Sequence, residues 1–137
     1  MKKLMIILLV ISMMFSLSAC YAYEKQKYYS QEENYVNATG TLTFINYNDE
    51  ESMLYLGFSD LNPDFDDNCF KIVGENLSIA QENGIDEKIE IGDQIEFVSA
   101  PRYFGDGYVM PIVEISVDGE VLLDFENGYE NWLEWID

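Results

Sequence analysis

The amino-acid sequence predicts a mainly β domain, in which five strands form a barrel and one short helix lies between the third and fourth strands. Five short runs between residues 39 and 117 have the apolar patterning of strands, and a stretch of helical character separates the third run from the fourth. A turn signal at Asp118-Gly119 and a helical stripe near the C-terminus predict an added hairpin and a final helix.

The first three strands are predicted before residue 75. Residues 39–45 alternate between apolar and polar side chains, which places Leu42 and Phe44 on one face. Residues 53–58 alternate in the same way, and residues 69–74 form a shorter third run. A long acidic loop joins the second strand to the third.

The short helix is predicted over residues 76–84. Asn76 can cap its start, and Gly84 can take the left-handed conformation that follows a helix end. A turn at Gly92-Asp93 and a fourth strand follow, with Ile95 and Phe97 facing inward.

The fifth strand is predicted over residues 108–117, with Val113, Ile115 and Val117 on one face. Pro111 has no N–H to donate, which indicates an edge or a bulge at that point.

The C-terminal part adds a hairpin and a helix. A type I′ turn needs positive φ at both central residues, so Asp118-Gly119 is a strong hairpin signal, with residues 120–125 as the return strand. The helical stripe consists of Tyr129, Trp132, Leu133 and Ile136, which we expect to close the core.

Three strands, a helix and two more strands is the order of the OB-fold, a five-stranded and partly open barrel. Residues 91–97 (IGDQIEF) and 111–124 (PIVEISVDGEVLLD) are also similar to small OB-like lipoproteins of Gram-positive bacteria. A β-sandwich, or a meander with one packed helix, is the alternative architecture.

The N-terminus has the layout of an export signal. Two lysines precede an uncharged run at residues 4–19, which ends in Leu17-Ser18-Ala19-Cys20. These four residues resemble the lipobox of bacterial lipoproteins. The resemblance implies that the Cys20 thiol receives a diacylglyceryl group and that a peptidase cuts before it. An ordinary leader or an uncleaved anchor is the alternative.

These signals divide the chain into three parts. Residues 1–19 are predicted as a lipoprotein signal peptide, and residues 38–137 as the β domain. Residues 20–37 between them are polar, rich in tyrosine and without a clear period, which predicts a tether, helical in part near its end.

The negative charge of the chain limits the classes of molecule that it can bind. Residues 20–137 contain all 26 acidic residues and five basic ones, for a formal charge of −21. Such a surface repels nucleic acid and disfavours docking on anionic lipid. Cations, basic peptides and basic proteins remain as partners.

Histidine is absent from the chain, which excludes Ser-His and Cys-His triads and the commonest zinc ligand. Besides Cys20, only Cys69 is present, so no internal disulfide can form without the lipid-site thiol. We therefore expect a protein that is not an enzyme and that carries no cofactor.

Two loops are candidate sites. The acidic loop between the second and third strands offers a calcium site made of Asp60, Asp64, Asp66 and Asp67. Its residues 64–75 match an EF-hand loop only in part, because Cys69 stands where a glycine is needed. A solvated acidic loop is the alternative.

The second candidate is the loop between strands four and five. In an OB barrel, this loop and the one between strands one and two form the ligand face. The predicted ligand residues are Tyr47, Arg102, Tyr103, Phe104 and Tyr108. In the alternative interpretation, the aromatic side chains fold over the end of the barrel.

Together these features predict a lipid-anchored binding or accessory lipoprotein on the extracytoplasmic face of the cell membrane. Its partner would be a protein or a cell-wall component. Three other hypotheses stay open: an acidic protective lipoprotein that sequesters cationic peptides or toxins, a calcium-binding surface module and a carboxylate-dependent enzyme.

Overall fold

A computed structural model describes residues 2–102, 104 and 109–137, apart from the side chains of residues 15–18. Six strands form one sheet. They are β1 (Val36–Asn48), β2 (Met53–Asn62), β3 (Cys69–Val73), β4 (Gln94–Ser99), β5 (Val109–Val117) and β6 (Glu120–Leu123). The helices are α1 (Lys2–Tyr29), α2 (Gly74–Glu82), α3 (Ile85–Lys88) and α4 (Phe125–Ile136), with a 3₁₀ turn at Glu32–Asn34.

The first five strands close into a barrel. Their order in the sheet is β3-β2-β1-β4-β5-β6, and a parallel pairing of β3 with β5 joins the two sides. The barrel is OB-like, with α2 and α3 between β3 and β4 and with β6 and α4 as additions. The predicted fold class is confirmed.

The helix after β3 was predicted correctly, but its capping was not. Val73, not Asn76, is the N-cap of α2. Asn76 is buried inside the helix, where its amide Nδ2 donates to the Gly128 carbonyl oxygen at 2.8 Å. Gly84 has a φ of +88° and lies between α2 and α3, as the left-handed position requires.

The hairpin signal at Asp118-Gly119 is confirmed. Asp118 has a φ of +52° and Gly119 a φ of +79°, so both central residues of the turn lie in the left-handed region. β5 and β6 leave this turn as an antiparallel pair.

A register shift in β1 overturns one predicted face. The pairing of β1 with β2 is irregular between Leu42 and Phe44, so these residues do not share a face. Leu42 is fully buried, whereas the Phe44 side chain is 49% exposed.

A second register shift, between β4 and β5, follows Val98. Because of this shift, Val113 does not point to the same face as Ile115 and Val117, although the sequence predicted one face for all three. All three are buried, but Ile115 and Val117 belong to the barrel interior and Val113 contributes to a different cluster. The predicted bulge near Pro111 accounts for this change of side.

The hydrophobic interior is therefore divided into two clusters. The barrel core contains Leu56, Phe70 and Ile95, among others, and extends to α2 and β6. The second cluster lies outside the barrel, under α4, and centres on Trp132, which is 2% exposed. Trp132, Leu133 and Ile136 of the predicted stripe are part of this second cluster, and Tyr129 instead stacks on Phe125.

The segment before the barrel packs against the domain through Tyr29 and Tyr35. Helix α1 continues past Cys20 to Tyr29, and the Tyr29 side chain is buried against Trp132 with a centroid distance of 5.1 Å. Tyr35 also packs in this cluster, and its hydroxyl donates to the Tyr29 carbonyl oxygen at 2.8 Å. Burial of these aromatic side chains stabilises the contact between this segment and the domain, whereas a solvated spacer would make no such contact.

Helix α1 also carries the predicted leader. The helix is long and apolar enough to cross a membrane, and a signal sequence passes the same test. The large apolar side chains that the structure describes in this stretch, such as Leu4 and Met14, are exposed.

Candidate binding site

In the loop after β4, Phe104 is the aromatic residue that the structure describes, and its side chain is buried. Phe104 is 9% exposed, and its ring lies 5.4 Å from the ring centroid of Tyr28 and 5.6 Å from that of Tyr29. The Arg102 guanidinium lies over the rings of Tyr28 and Phe104, at 5.4 and 5.3 Å. Tyr103 and Tyr108 lie outside the described residues.

These contacts attach the end of α1 to the barrel. The Tyr29 hydroxyl donates to the Arg102 carbonyl oxygen at 3.0 Å. Arg102 and Phe104 thus hold the end of α1 against the barrel, and both also line a cavity of about 510 Å³ beside α1. A ligand-binding role for this loop stays a prediction.

Tyr47 takes part in a separate contact. It lies near the end of β1, and its hydroxyl donates to the Asp86 carboxylate of α3. Burial, followed by this carboxylate, raises the pKa of Tyr47 well above its ordinary value. The interaction connects the β1–β2 hairpin to the helical connection, whereas Arg102 and Phe104 contact α1.

The four aspartates of the acidic loop are not gathered around a common point. Within the described ranges, no three carboxylate or thiol side chains are placed to hold a metal ion. The Asp67 carboxylate accepts from the backbone N–H of Asn68 at 2.7 Å, and Asp66 donates its own N–H to the Pro101 carbonyl oxygen at 3.4 Å. Asp60 is at the end of β2, with a φ of +54°, and Asp64 follows it in the loop.

The EF-hand match also has no structural counterpart, because β3 occupies the middle of residues 64–75. Cys69 on this strand is half-buried, and burial, followed by the charge of Asp67, raises the pKa of its thiol. A raised pKa leaves less thiolate, so this cysteine is less reactive.

Another described cavity lies on the outer face of the barrel. It is a groove of about 570 Å³ that crosses β1, β4 and β5 and reaches the end of β2. Its polar lining consists of Asn37, Thr39, Asn62, Glu96, Glu114 and Ser116.

Strand register explains why these side chains meet. Thr39 of β1 is paired with Asn62 of β2 on one side and with Glu96 of β4 on the other. Glu96 is in turn paired with Ser116 of β5. Because paired residues point to the same face of a sheet, the four side chains form one row across four strands.

Two carboxylates in the groove have no counter-ion in the part of the chain that the structure describes. Glu96 and Glu114 are diagonal neighbours on β4 and β5, a relation that places two residues roughly 7–8 Å apart. Neither side chain has a hydrogen bond or an ion pair with any residue that the structure describes. Burial, followed by the charge of Asp124, raises the pKa of Glu114 above its ordinary value.

A second cavity extends the groove toward α4. It has a volume of about 280 Å³ and shares Asn37 and Glu114 with the first. Tyr35 and Phe125 give it an aromatic end, and Glu32 adds a third carboxylate. At the opposite end of the groove, Pro63 gives an apolar boundary.

Sequence reasoning missed this groove. The signal was present, since Glu96, Glu114 and Ser116 occupy the outward positions of two predicted strands. Alternating polar residues on a strand are, however, typical of any solvent-facing sheet, and only the register shows that these line a concave surface.

In comparisons with known proteins, no protein-family model matches this chain, and neither a curated protein nor a solved structure matches it.

Proposed function

We propose that this protein is a lipid-anchored binding protein on the extracytoplasmic face of a bacterial cell membrane. The observation that carries the proposal is the position of Cys20 within α1. The residue is exposed, it follows the apolar stretch of the leader, and its helix runs directly into the packed domain.

The short connection supports an anchor that holds the barrel near the bilayer. Tyr29, the first deeply buried residue of the domain, follows Cys20 by nine positions. At 1.5 Å per helical residue, the two are about 14 Å apart along the helix. Two acyl chains on Cys20 would anchor the chain stably, since one chain alone binds only marginally.

The groove supports binding as the activity. Its carboxylates, amides and hydroxyls can form charge-assisted and neutral hydrogen bonds with a ligand. The chain has no histidine to act as the usual acid or base, so binding accounts for the groove with fewer assumptions than catalysis does.

The experiment that tests the anchor compares two cysteine variants of the full chain. Cells that express wild type, Cys20→Ala or Cys69→Ala are fed an alkyne analogue of palmitate, and the protein is isolated and probed. We expect label on wild type and on Cys69→Ala, and none on Cys20→Ala, which should accumulate as the longer precursor. Label that persists on Cys20→Ala, or an unmodified Cys20 thiol in the N-terminal peptide of wild type, would overturn the proposal.

A further inference from the structure

The outer-face groove contains negative charge that no lysine or arginine balances within the described residues. Glu96 and Glu114 face the groove, Glu32 lies in the adjoining cavity, and Asp124 is close enough to act on Glu114. No lysine or arginine lines either cavity in the described part of the chain. Glu114 is partly buried and Glu96 is exposed, and a cationic ligand in the groove could pair with both carboxylates.

The basic residues of the domain are placed elsewhere. Lys71 is buried beneath Trp132, Lys88 forms an ion pair with Glu120 at 2.7 Å, and Arg102 lies over aromatic rings. Lys25 and Lys27 are on α1. A cation that pairs with the groove carboxylates would therefore come from another molecule.

The shape of the groove favours an extended ligand over a single small cation. The row from Asn62 to Ser116 crosses three strand spacings of about 4.8 Å, or roughly 14 Å. An extended peptide of about four residues spans that distance. Asn37, Thr39 and Ser116 can hydrogen-bond to peptide groups along this path, and Pro63 and Phe125 provide apolar contacts at the two ends.

We infer that the groove is a binding site for an extended, lysine- or arginine-bearing peptide segment, with Glu96 and Glu114 as the residues that bind its cationic side chains. This inference rests on the proposed binding function and gives it a ligand class. It does not depend on the lipid, because the groove lies on the barrel and not on α1.

The test measures binding of a fluorescein-labelled octapeptide of alternating lysine and serine to the full chain in detergent micelles. The matched peptide contains glutamate in place of lysine, and spermidine and CaCl₂ are the small-cation competitors. We expect the lysine peptide to bind and the glutamate peptide not to bind. Neither spermidine nor Ca²⁺ at equal charge concentration should displace the lysine peptide fully.

Two double variants separate the groove from general charge attraction. Glu96→Gln with Glu114→Gln should weaken binding by about tenfold, because both carboxylates that pair with the ligand are lost. Glu50→Gln with Glu51→Gln removes the same charge from the exposed β1–β2 turn and should change affinity by less than about twofold.

A third variant tests the shape without changing the charge. Thr39→Tyr places a large side chain on the floor of the groove, and we expect it to weaken binding of the lysine peptide. Thermal unfolding of each variant confirms that it is folded before its affinity is measured.

Equal losses in the two double variants would assign binding to the overall acidic surface and overturn the inference. So would full displacement by spermidine or Ca²⁺, or wild-type protein that does not bind the lysine peptide. If Cys20 carries lipid and the peptide does not bind, the ligand class is wrong and the anchored binding protein stands. If the peptide binds to a chain that carries no lipid, the groove stands and the anchor is wrong.

Discussion

Gly128 shows how one missing side chain positions a whole helix. A Cβ atom at this residue would lie 1.7 Å from the carbonyl oxygen of Val113, so α4 packs directly on the backbone of β5. The Gly128 carbonyl accepts from Asn76, whose own side-chain oxygen accepts from Asn131 at 3.1 Å. The close approach and the two hydrogen bonds together join α4 to β5 and α2.

The variant Gly128→Ala should therefore destabilise the fold by at least about 2 kcal/mol, because the new methyl group meets backbone that cannot move aside without moving a strand. Urea denaturation of the full chain measures the free energy of unfolding. Glu130→Ala, on the exposed side of the same helix, is the control and should change it by less than about 0.5 kcal/mol. Equal stability of the two variants would show that α4 does not need this close contact.

At the residue scale, alternation in the sequence predicted side-chain directions only where the strands are regular. It was right for Leu54, Leu56 and Phe58, which are all buried. It was wrong for Phe44 and for Val113, which each adjoin a register shift. A bulge adds one residue to one strand, and every later side chain changes face, so a period of two cannot locate it.

At the scale of elements, the end of α1 is the clearest departure from expectation. Its polar and tyrosine-rich composition is typical of a solvated spacer, yet Tyr28 and Tyr29 pack against Phe104, and Tyr29 also contacts Trp132. The partners of these tyrosines lie more than 70 positions further along the chain. No local pattern can reveal a contact over that separation.

Tyr29→Ala should consequently cost about 3 kcal/mol of stability, since a large buried aromatic side chain is removed. Tyr23→Ala is the matched control, because Tyr23 lies on the same helix with 67% of its surface exposed. Thermal and urea unfolding of both variants should separate them clearly. A Tyr29 variant as stable as the Tyr23 variant would show that the packing of Tyr29 adds no stability, as expected if residues 20–37 are a simple tether.

The order of the strands and the positions of α2 and α4 were predictable because each has a local signal, as the Asp118-Gly119 hairpin illustrates. Helix α3 (Ile85–Lys88) was not predicted. The groove was not, because its row of side chains comes from four strands that are distant in sequence. Local periodicity indicates whether a segment forms a strand or a helix, whereas the groove depends on which strands are neighbours in the sheet.

The whole molecule is dominated by its negative charge. The full chain has a formal charge of −19 and an isoelectric point of about 4.1. One ion pair, between Lys88 and Glu120, joins side chains within the described residues, and it is exposed. Self-repulsion among the remaining carboxylates opposes the compact state.

Added salt should therefore stabilise this protein. Raising NaCl from about 10 to about 150 mM shortens the Debye length from about 30 to about 8 Å, which screens repulsion between surface carboxylates. We expect the thermal midpoint at pH 7 to rise by a few degrees over this range. The same series near pH 4.1, where the net charge is close to zero, is the control and should show little change. A midpoint at pH 7 that stays constant or falls would mean that the charges are spaced too widely to repel.

The short stretch of helix between Cys20 and Tyr29 limits how far the barrel can lie from an anchor at Cys20. With acyl chains on Cys20, the barrel would sample only a thin layer above the bilayer, and its search for partners would become nearly two-dimensional. Any protein held in the same membrane would then meet the barrel at a high effective concentration, so that even a weak contact could be occupied.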